Sequence, residues 1–419
     1  MRKRDKTMRL KAFILPIFLL VSFLSYSQTD SQTLPFVVSG TVVDAESGKP
    51  LQYVGVSFTG QKYATVSNSD GGFILKSDSE PESVDFTLLG YKNVRVLFPK
   101  DGSPVTVRMP RGTMTLEEAF IIADPYSVLE RAIARINDNY PLQPELFDCF
   151  YRETVQKRQR YIFITEAVSR MFKSSYSRRT TIGDRVALDK SRVLVSPDLK
   201  DTLSIKVVGG PVQAVQLDIV KNNELLTKEE LSHYELRMEL PQTIGDRLQY
   251  AIRLIPRWSA DYPLYKGVIY IDRETYAFTR FDLEYDMTDK DKVIKSILYR
   301  KPAGLKFTPT QVAIRYDYSL DNGVSRVSYV RTMIRFKCDW KKRLLKTDYT
   351  AISELVTTGL HTENVEIIPK KESFGERDIL SEKADKNFDP EFWKDYNIIE
   401  PSESLDKAIG RIVRRSERN

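Results

Sequence analysis

The stretch Ser39–Gly60, SGTVVDAESGKPLQYVGVSFTG, contains two short apolar runs joined by a turn rich in Asp, Ser, Gly and Pro. Runs rich in β-branched and aromatic residues and bounded by turn residues are typical of β-strands. Seven such runs follow one another between Pro35 and Pro110. Their number and spacing predict a small β-sandwich.

The segment Asn68–Gly72, NSDGG, separates two of these runs. Asn, Asp and Gly tolerate positive φ, so the segment predicts a hairpin connection. A calcium loop is the alternative interpretation of the same acids and amides. Its spacing does not provide the alternating ligands and closing bidentate Glu of a known calcium loop, so the hairpin is favoured.

The order of turns and strands in Ser39–Gly60, in NSDGGF at Asn68–Phe73 and in LLGYKNVRV at Leu88–Val96 resembles the carboxypeptidase-regulatory-like domain family. The resemblance implies a non-catalytic, immunoglobulin-like or transthyretin-like sandwich of the kind common at the start of envelope proteins in Gram-negative bacteria. It implies no peptidase activity. As a whole, the chain resembles envelope proteins that carry this domain.

Residues 1–27 have the three parts of a secretory signal peptide. A basic start leads into the apolar run Ala12–Leu24, and small residues follow, with cleavage expected after Ser27. A retained anchor would need about 20 predominantly apolar residues, and this run is shorter and interrupted by Pro16. We therefore expect an exported protein, in the periplasm or on the periplasmic face of the outer membrane, without a transmembrane span in the mature chain.

The formal net charge of +7 comes mostly from this first segment, which holds six Lys or Arg against one acid, Asp5. The rest of the chain therefore carries about +2. A charge this small gives no support for nucleic-acid binding, which requires a concentrated basic surface.

The middle of the chain predicts a second, larger β domain. A short amphipathic helix is expected from the N-cap Asp124 and Pro125 to about Pro141. Long strand-like runs then extend from Phe147 to about Val356, interrupted by two short helices and by the hairpin signal Asp321–Gly323. The predicted fold is therefore mainly β, with a sandwich followed by a curved antiparallel sheet with a few helices.

The predicted boundaries are 1–27 for the signal peptide, 35–112 for the sandwich, 113–365 for the curved sheet with edge helices, and 366–419 for a charged segment and C-terminal helices packing on the second domain. Pro401–Ile412 repeats the spacing of Pro125–Ile136. The two helices could dock side by side on one sheet, although chance similarity between amphipathic helices is slightly favoured.

The hairpin Lys266–Asp286, KGVIYIDRETYAFTRFDLEYD, alternates apolar and polar residues. It resembles a hairpin of the half-barrel proteins that sort outer-membrane lipoproteins, which implies a concave apolar surface for an acyl chain. An ordinary hairpin in a curved sheet is the favoured interpretation, because apolar stripes usually belong to a core. Cys149 and Cys338 could form a disulfide or remain two buried thiols, and the sequence leaves both possibilities open.

The sequence contains no recognisable catalytic motif. His233 and His361 lie in HYEL and HTEN, which are not zinc-peptidase patterns, and two histidines give little support for a His-dependent nucleophilic site. A carboxylate-based hydrolase is not excluded, but acids such as Asp282, Glu284 and Asp286 are favoured as solvated strand positions.

We therefore expect a non-catalytic envelope scaffold or binding protein without a cofactor or metal, with an envelope protein as partner. The alternative is a periplasmic carrier of a lipid or other hydrophobic ligand. No catalytic, cofactor, metal or partner-binding residue is assigned from the sequence.

Overall fold

The computed structural model describes residues 34–112, 123–196, 205–207, 209–222, 224–340, 346–376, 378–383 and 393–416. The predicted signal peptide lies outside these residues. The fold is mainly β, with two N-terminal sheets followed by a ten-stranded antiparallel sheet and a few helices. The predicted fold class is confirmed.

The N-terminal sandwich has seven strands, as its apolar runs predict. They are β1 (Phe36–Asp44), β2 (Gly55–Phe58), β3 (Ala64–Val66), β4 (Gly72–Ser77), β5 (Ser83–Thr87), β6 (Val94–Leu97) and β7 (Val105–Met109). One sheet has the order β4-β1-β7 and the other β3-β2-β5-β6. Alternate side chains of both sheets, among them Val38, Phe73, Val56 and Phe86, form one buried core.

The turn Asn68–Gly72 does not form a hairpin, so that prediction is wrong. It joins β3 of one sheet to β4 of the other. Asn68 Oδ1 accepts hydrogen bonds from the amides of Asp70 and Gly72, both at 2.9 Å, and Gly71 has a φ of +77°. The turn chemistry was identified correctly, but packing of the two sheets decides which strands the turn connects.

The large sheet is antiparallel throughout and has the order β10-β9-β8-β19-β18-β17-β15-β14-β13-β12. Its strands are β8 (Glu145–Lys157), β9 (Arg160–Lys173), β10 (Arg185–Val195), β12 (Tyr234–Ile244), β13 (Arg247–Pro256), β14 (Tyr265–Asp272), β15 (Phe278–Tyr285), β17 (Leu305–Asp321), β18 (Val324–Trp340) and β19 (Thr347–His361). The predicted hairpin turn at Asp321–Gly323 is confirmed between β17 and β18. Two short strands, β11 (Lys206–Val207) and β16 (Leu298–Arg300), pair separately.

The helices lie around this sheet. They are α1 (Pro125–Ala134), α2 (Ile136–Asn139), α3 (Pro211–Gln216), α4 (Ile219–Asn222), α5 (Lys228–Leu231), α6 (Lys290–Ile297), α7 (Leu380–Lys383) and α8 (Glu403–Ser416). Asp124 caps α1 as predicted, accepting a 2.8 Å hydrogen bond from the amide of Ser127. The two similar helices do not dock side by side, because α1 packs near β12 and α8 near β9 and β10, at opposite edges of the sheet. No helix within the described residues is both long and apolar enough to span a bilayer.

The two faces of the large sheet have different coverings. Tyr151 and Leu355 lie opposite each other on β8 and β19 and belong to an apolar core that α1 to α5 cover. We call this side the apolar face. Phe150 and Val356, one position away on each strand, lie on the other side in a buried cluster with Trp393. We call this second side the charged face.

Both cysteines are free and buried, so the disulfide alternative is not realised. Cys149 lies in the core of the apolar face, and Cys338 lies in a neighbouring cluster beneath α6. Burial raises the pKa of both thiols, that of Cys338 to about 12. Both therefore behave as small apolar side chains at neutral pH.

Candidate functional site

A row of charged residues crosses the charged face, one from each of seven neighbouring strands. Each member is the direct register partner of the next. In order they are Asp282, Arg315, Arg331, Glu354, Arg152, Glu166 and Arg192. Directly opposite residues on a sheet interact most strongly, so this charge row is a continuous electrostatic feature.

One end of the charge row is buried. Arg152 Nε lies 2.7 Å from Glu166 Oε1, and Arg192 Nη2 lies 2.6 Å from Glu166 Oε2. The Glu166 side chain is 0% exposed. Burial alone would raise the pKa of Glu166, but the guanidinium groups of Arg152 and Arg192 outweigh it and hold the pKa below its ordinary value.

The C-terminal segment Trp393–Glu403 covers this buried end. Arg152 Nη2 donates a 2.6 Å hydrogen bond to the carbonyl of Ile399, and the Trp393 ring centroid lies 5.1 Å from the guanidinium carbon of Arg192. Trp393 also packs edge-on against Phe150. The segment thus shields the charges of Arg152, Glu166 and Arg192 from water.

The same segment holds the sandwich in place. Asn397 accepts a 2.7 Å hydrogen bond from the amide of Lys76 and donates a 2.9 Å hydrogen bond to its carbonyl, as a neighbouring strand would. Lys76 Nζ donates to the carbonyls of Trp393, Lys394 and Tyr396 at 3.0, 2.8 and 3.1 Å. Burial lowers the pKa of Lys76.

Tyr53 of the sandwich lies over the middle of the charge row. Its ring stacks on Tyr329 with the centroids 5.5 Å apart, and the guanidinium carbons of Arg315 and Arg331 each lie 5.3 Å from its centroid. Burial, and then the negative charge of Glu354, raise the pKa of Tyr53. The Tyr53 ring thus lies close to both arginines, and its π face offsets part of the repulsion between these like charges.

The other end of the charge row opens into a crevice between the sandwich and the sheet. The crevice has two lobes of about 750 and 910 Å³. Both lobes are lined by Tyr53, Leu88, Leu89, Arg280 and Arg315. The first lobe adds a polar set comprising Ser57, Thr87, Asn93, Gln249, Thr279 and Asp317. Volumes of this size are typical of small-ligand sites.

The carboxylates of the crevice are held by arginines. Arg315 donates a 2.8 Å hydrogen bond from Nε to Asp317 Oδ2, and Arg247 binds Asp272 through two nitrogens at 2.7 and 2.5 Å. Burial would raise the pKa of Asp272, but the Arg247 hydrogen bonds and those of Thr275 lower it. Asp272 is therefore a charged hydrogen-bond acceptor at neutral pH.

Three buried polar atoms at the crevice floor have no hydrogen-bond partner within the described chain. They are Arg280 Nε, Arg331 Nε and Asp317 Oδ1. Arg280 Nε lies 2.8 Å from Asp282 Oδ2, but the contact is an ion pair without hydrogen-bond geometry. Arg280 Nε also lies 3.5 Å from Asp317 Oδ1, and Arg331 Nε lies 4.0 Å from Glu354 Oε1, so these buried atoms face oppositely charged groups of the chain itself.

A second buried charge cluster lies beneath the apolar face. Asp218 contacts the Lys173 ammonium and accepts hydrogen bonds from Tyr176 and Tyr318, both at 2.6 Å. Lys221 Nζ lies 2.5 Å from Asp184 Oδ1. The side chains of both ion pairs are at most 2% exposed, so the cluster is a structural network inside the core.

The candidate residues from the sequence do not converge on one site. Asp282 belongs to the charge row, whereas Glu284 accepts a hydrogen bond from Gln311, and Asp286 from Thr288. His361 Nε2 lies 2.8 Å from Asp148 Oδ2 at the far end of β19. Within the described residues, no group of three or more His, Cys, Asp and Glu is placed to hold a metal ion.

Sequence reasoning missed the crevice and the charge row. The available signal was a charged residue at alternate positions of otherwise apolar strands, as at Arg280 and Asp282 or at Arg315 and Asp317. In isolation, each of these pairs resembles an ordinary solvated strand face.

Comparison with known proteins places the sandwich in a family. Residues 38–121 match the family model described as CarboxypepD_reg-like domain, which confirms the resemblance found in the sequence. No curated protein matches the chain.

Three solved structures are similar in part. A putative outer membrane lipoprotein-sorting protein domain from Vibrio parahaemolyticus is 11% identical, and the match covers 58% of this chain and 95% of that one, with a TM-score of 0.24. A DUF1329 family protein from Desulfovibrio piger is 10% identical, with 58% and 96% covered and a TM-score of 0.24. MucB is 14% identical, with 56% and 92% covered and a TM-score of 0.18.

Proposed function

We propose that this chain is a non-catalytic binding protein of a Gram-negative cell envelope, and that the crevice between the sandwich and the charged face holds its ligand. The observation that carries the proposal is the crevice itself, whose two lobes of about 750 and 910 Å³ lie between the sandwich and the large sheet and are lined by side chains of both. The envelope location rests on the predicted signal peptide and on the family of the sandwich.

The lining of the crevice combines apolar side chains with charged and polar ones. Its floor carries arginines and carboxylates from the large sheet, and its roof carries Ser57, Thr87 and Asn93 from the sandwich. An acyl chain placed there would desolvate these groups without replacing their hydrogen bonds, which is costly.

A binding role also fits the ionisation of Asp272. A general acid needs a raised pKa, whereas the hydrogen bonds from Arg247 and Thr275 lower the pKa of Asp272. Asp272 is therefore suited to accept hydrogen bonds rather than to donate a proton.

A lipid carrier is the second candidate, with the apolar face as its site. This face carries a broad, continuous set of apolar and aromatic side chains beneath the short helices α3, α4 and α5. However, Tyr151, Tyr316 and Phe278 are 0% exposed, so α3 to α5 would have to move aside before an acyl chain could enter.

Native mass spectrometry separates the two candidates. The chain from residue 28 onward, purified without detergent, is incubated with the aqueous phase or the organic phase of a solvent-partitioned Gram-negative envelope extract. Ser57→Trp fills the crevice from the sandwich side, because Ser57 lies between the core residues Val56 and Phe58 and faces outward. Thr106→Trp on the opposite sheet, an exposed position of β7, is the matched control.

The proposal predicts added mass from the aqueous phase on the unmodified chain and on Thr106→Trp, and none on Ser57→Trp. Added mass from the organic phase on all three proteins would support the carrier. If the aqueous phase adds no mass that depends on Ser57, the crevice proposal is wrong.

A further inference from the structure

We infer that one end of the large sheet docks on a lipid surface that carries anionic headgroups. The inference does not depend on the ligand of the crevice, because it rests on a different surface of the molecule.

Several segments of the chain meet at this end of the sheet. The β8–β9 turn lies there beside the start of β19, where Lys157 is the register partner of Tyr349. Next to β19, β18 ends and β17 begins, and α6 and β16 lead into β17. The helix α8 reaches the same end, where Arg411 Nη2 donates a 3.4 Å hydrogen bond to the carbonyl of Tyr161. We call the following segments together the basic end: 157–160, 286–306, 335–339, 346–348 and 411–414.

The basic end has a large surplus of positive charge. It contains 14 Lys or Arg against five Asp, a surplus of nine, whereas the whole chain from residue 28 onward carries only about +2. The rest of that chain therefore has a net charge of about −7. Three of the acids, Asp289, Asp339 and Asp348, lie 3.6 to 3.9 Å from a lysine, and the surplus remains after these pairs are counted. Charge concentrated in this way attracts an anionic surface.

Basic side chains of this end are directed into solvent. α6 buries Val293 and Ile297, which are 0% and 1% exposed, so the opposite side of the helix, with Lys295, faces outward. Arg300 on β16 and Lys306 on β17 are exposed as well. These side chains can approach a charged surface without rearrangement of the fold.

Two exposed aromatic side chains accompany the charges. Tyr299 on β16 is 67% exposed, and Trp258 in the loop between β13 and β14 is 66% exposed. This loop adjoins the basic end, because Lys292 Nζ of α6 donates a 2.8 Å hydrogen bond to Ser259 Oγ. Tyr and Trp are enriched where a protein meets the interface between lipid and water, since their rings are apolar and carry a polar group. The combination favours a lipid surface over a polyanion such as DNA.

The sandwich joins the large sheet toward the opposite end. Ile244, at the end of β12, forms isolated bridges with Leu89 and Tyr91 of the sandwich, whereas the start of β12 pairs with Pro256 next to the loop of Trp258. Docking through the basic end therefore leaves the sandwich directed away from the lipid.

Sedimentation with vesicles tests the inference. The chain from residue 28 onward is mixed with vesicles of phosphatidylcholine alone, or of phosphatidylcholine and phosphatidylglycerol in equal parts, and the bound fraction is measured at increasing lipid concentration. One variant combines Lys295→Gln, Arg300→Gln and Lys306→Gln at the basic end. The matched control removes the same charge from three exposed lysines of the sandwich, by combining Lys49→Gln, Lys92→Gln and Lys100→Gln.

We expect binding to the mixed vesicles that added salt weakens, and little binding to phosphatidylcholine alone. The basic-end variant should lose at least about tenfold in lipid affinity, because each basic side chain near an anionic surface contributes roughly fivefold. The sandwich variant should bind like the unmodified chain. Equal binding to the two kinds of vesicle, or equal losses in the two variants, would overturn the inference.

Tyr299→Ser separates a lipid surface from a polyanion, because it leaves every charge in place. It should weaken binding to the mixed vesicles severalfold, whereas Leu97→Ser, at a 75% exposed position of the sandwich, should not. Binding of the same proteins to double-stranded DNA is measured in parallel. A chain that binds DNA through the basic end but sediments with neither kind of vesicle would overturn the inference and assign this surface to nucleic acid.

Discussion

The two faces of the ten-stranded sheet are built from the same strands but have opposite chemistry. The apolar face is a filled core, where side chains such as Tyr316 and Leu355 are at most 1% exposed beneath the helices. The charged face carries the charge row, and its coverings come from the two ends of the chain, the sandwich and Trp393–Glu403. A strand places alternate residues on opposite faces, so one set of strands can build a stable core and a polar site together.

The comparison predicts that removing a polar group lowers the free energy of unfolding by different amounts on the two faces. The largest decrease is expected at the buried end of the charge row. Glu166→Gln removes the charge that Arg152 and Arg192 share and should reduce the free energy of unfolding by about 3–5 kcal/mol, because both guanidinium groups remain buried. Chemical denaturation measures the change.

Glu239→Gln on β12 is the matched control for Glu166→Gln. The side chain of Glu239 is 34% exposed and that of its partner Arg253 is 44% exposed. The loss in the free energy of unfolding should therefore be below about 1 kcal/mol. Equal losses for the two variants would show that the buried end of the charge row has no special role in stability.

On the apolar face, Tyr318→Phe should have the next largest effect. It removes the hydroxyl that donates to Asp218 at 2.6 Å and should cost about 1.5–3 kcal/mol, because the acceptor is charged and buried. Tyr299→Phe is the control, since the Tyr299 side chain is 67% exposed, and it should be nearly neutral. Thermal unfolding compares the two variants, and an equal or larger loss for Tyr299→Phe would contradict the described network.

The attachment of the sandwich should be weakened by Asn397→Ala. This change removes both hydrogen bonds to the Lys76 backbone, at about 1 kcal/mol each. Hydrogen exchange at the Lys76 amide should accelerate while exchange in the large sheet is unchanged. Lys394→Ala is the control, because its backbone carbonyl rather than its side chain accepts from Lys76. Equal exchange rates at the Lys76 amide in the two variants would contradict the assigned role of Asn397.

A further prediction concerns pH and the partly buried Glu153 of the apolar face. Burial raises the pKa of Glu153 from 4.5 to about 7. The folded chain therefore holds a proton that the unfolded chain releases, and Glu153 reduces stability as pH rises from about 4.5 to 7. Glu153→Gln should raise Tm above about pH 7 and change it little below about pH 4.5. A Tm difference that is the same at both pH values would exclude this titration.

The sequence predicted features that depend on neighbouring residues in the chain. The Asn322–Gly323 turn and the Asp124 cap were predicted correctly because their chemistry is local. The charge row was not predicted, because its continuity depends on β8 pairing with β19, about 200 residues later, in one register. The prediction of a hairpin at Asn68–Gly72 was wrong for a related reason. A positive φ specifies a turn, but it does not specify the sheet to which the next strand belongs.

The most direct test of the proposed division of roles between the two faces is photo-crosslinking in intact cells with photo-leucine, which replaces leucine throughout the chain. Leu88 and Leu89 line the crevice, whereas Leu254 and Leu355 lie in the core of the apolar face. Mass spectrometry of the peptides should find adducts of a polar envelope molecule on Leu88 or Leu89 and only intramolecular crosslinks at Leu254 and Leu355. Lipid adducts at Leu254 or Leu355, with none at the crevice leucines, would contradict the account and identify the apolar face as the binding surface.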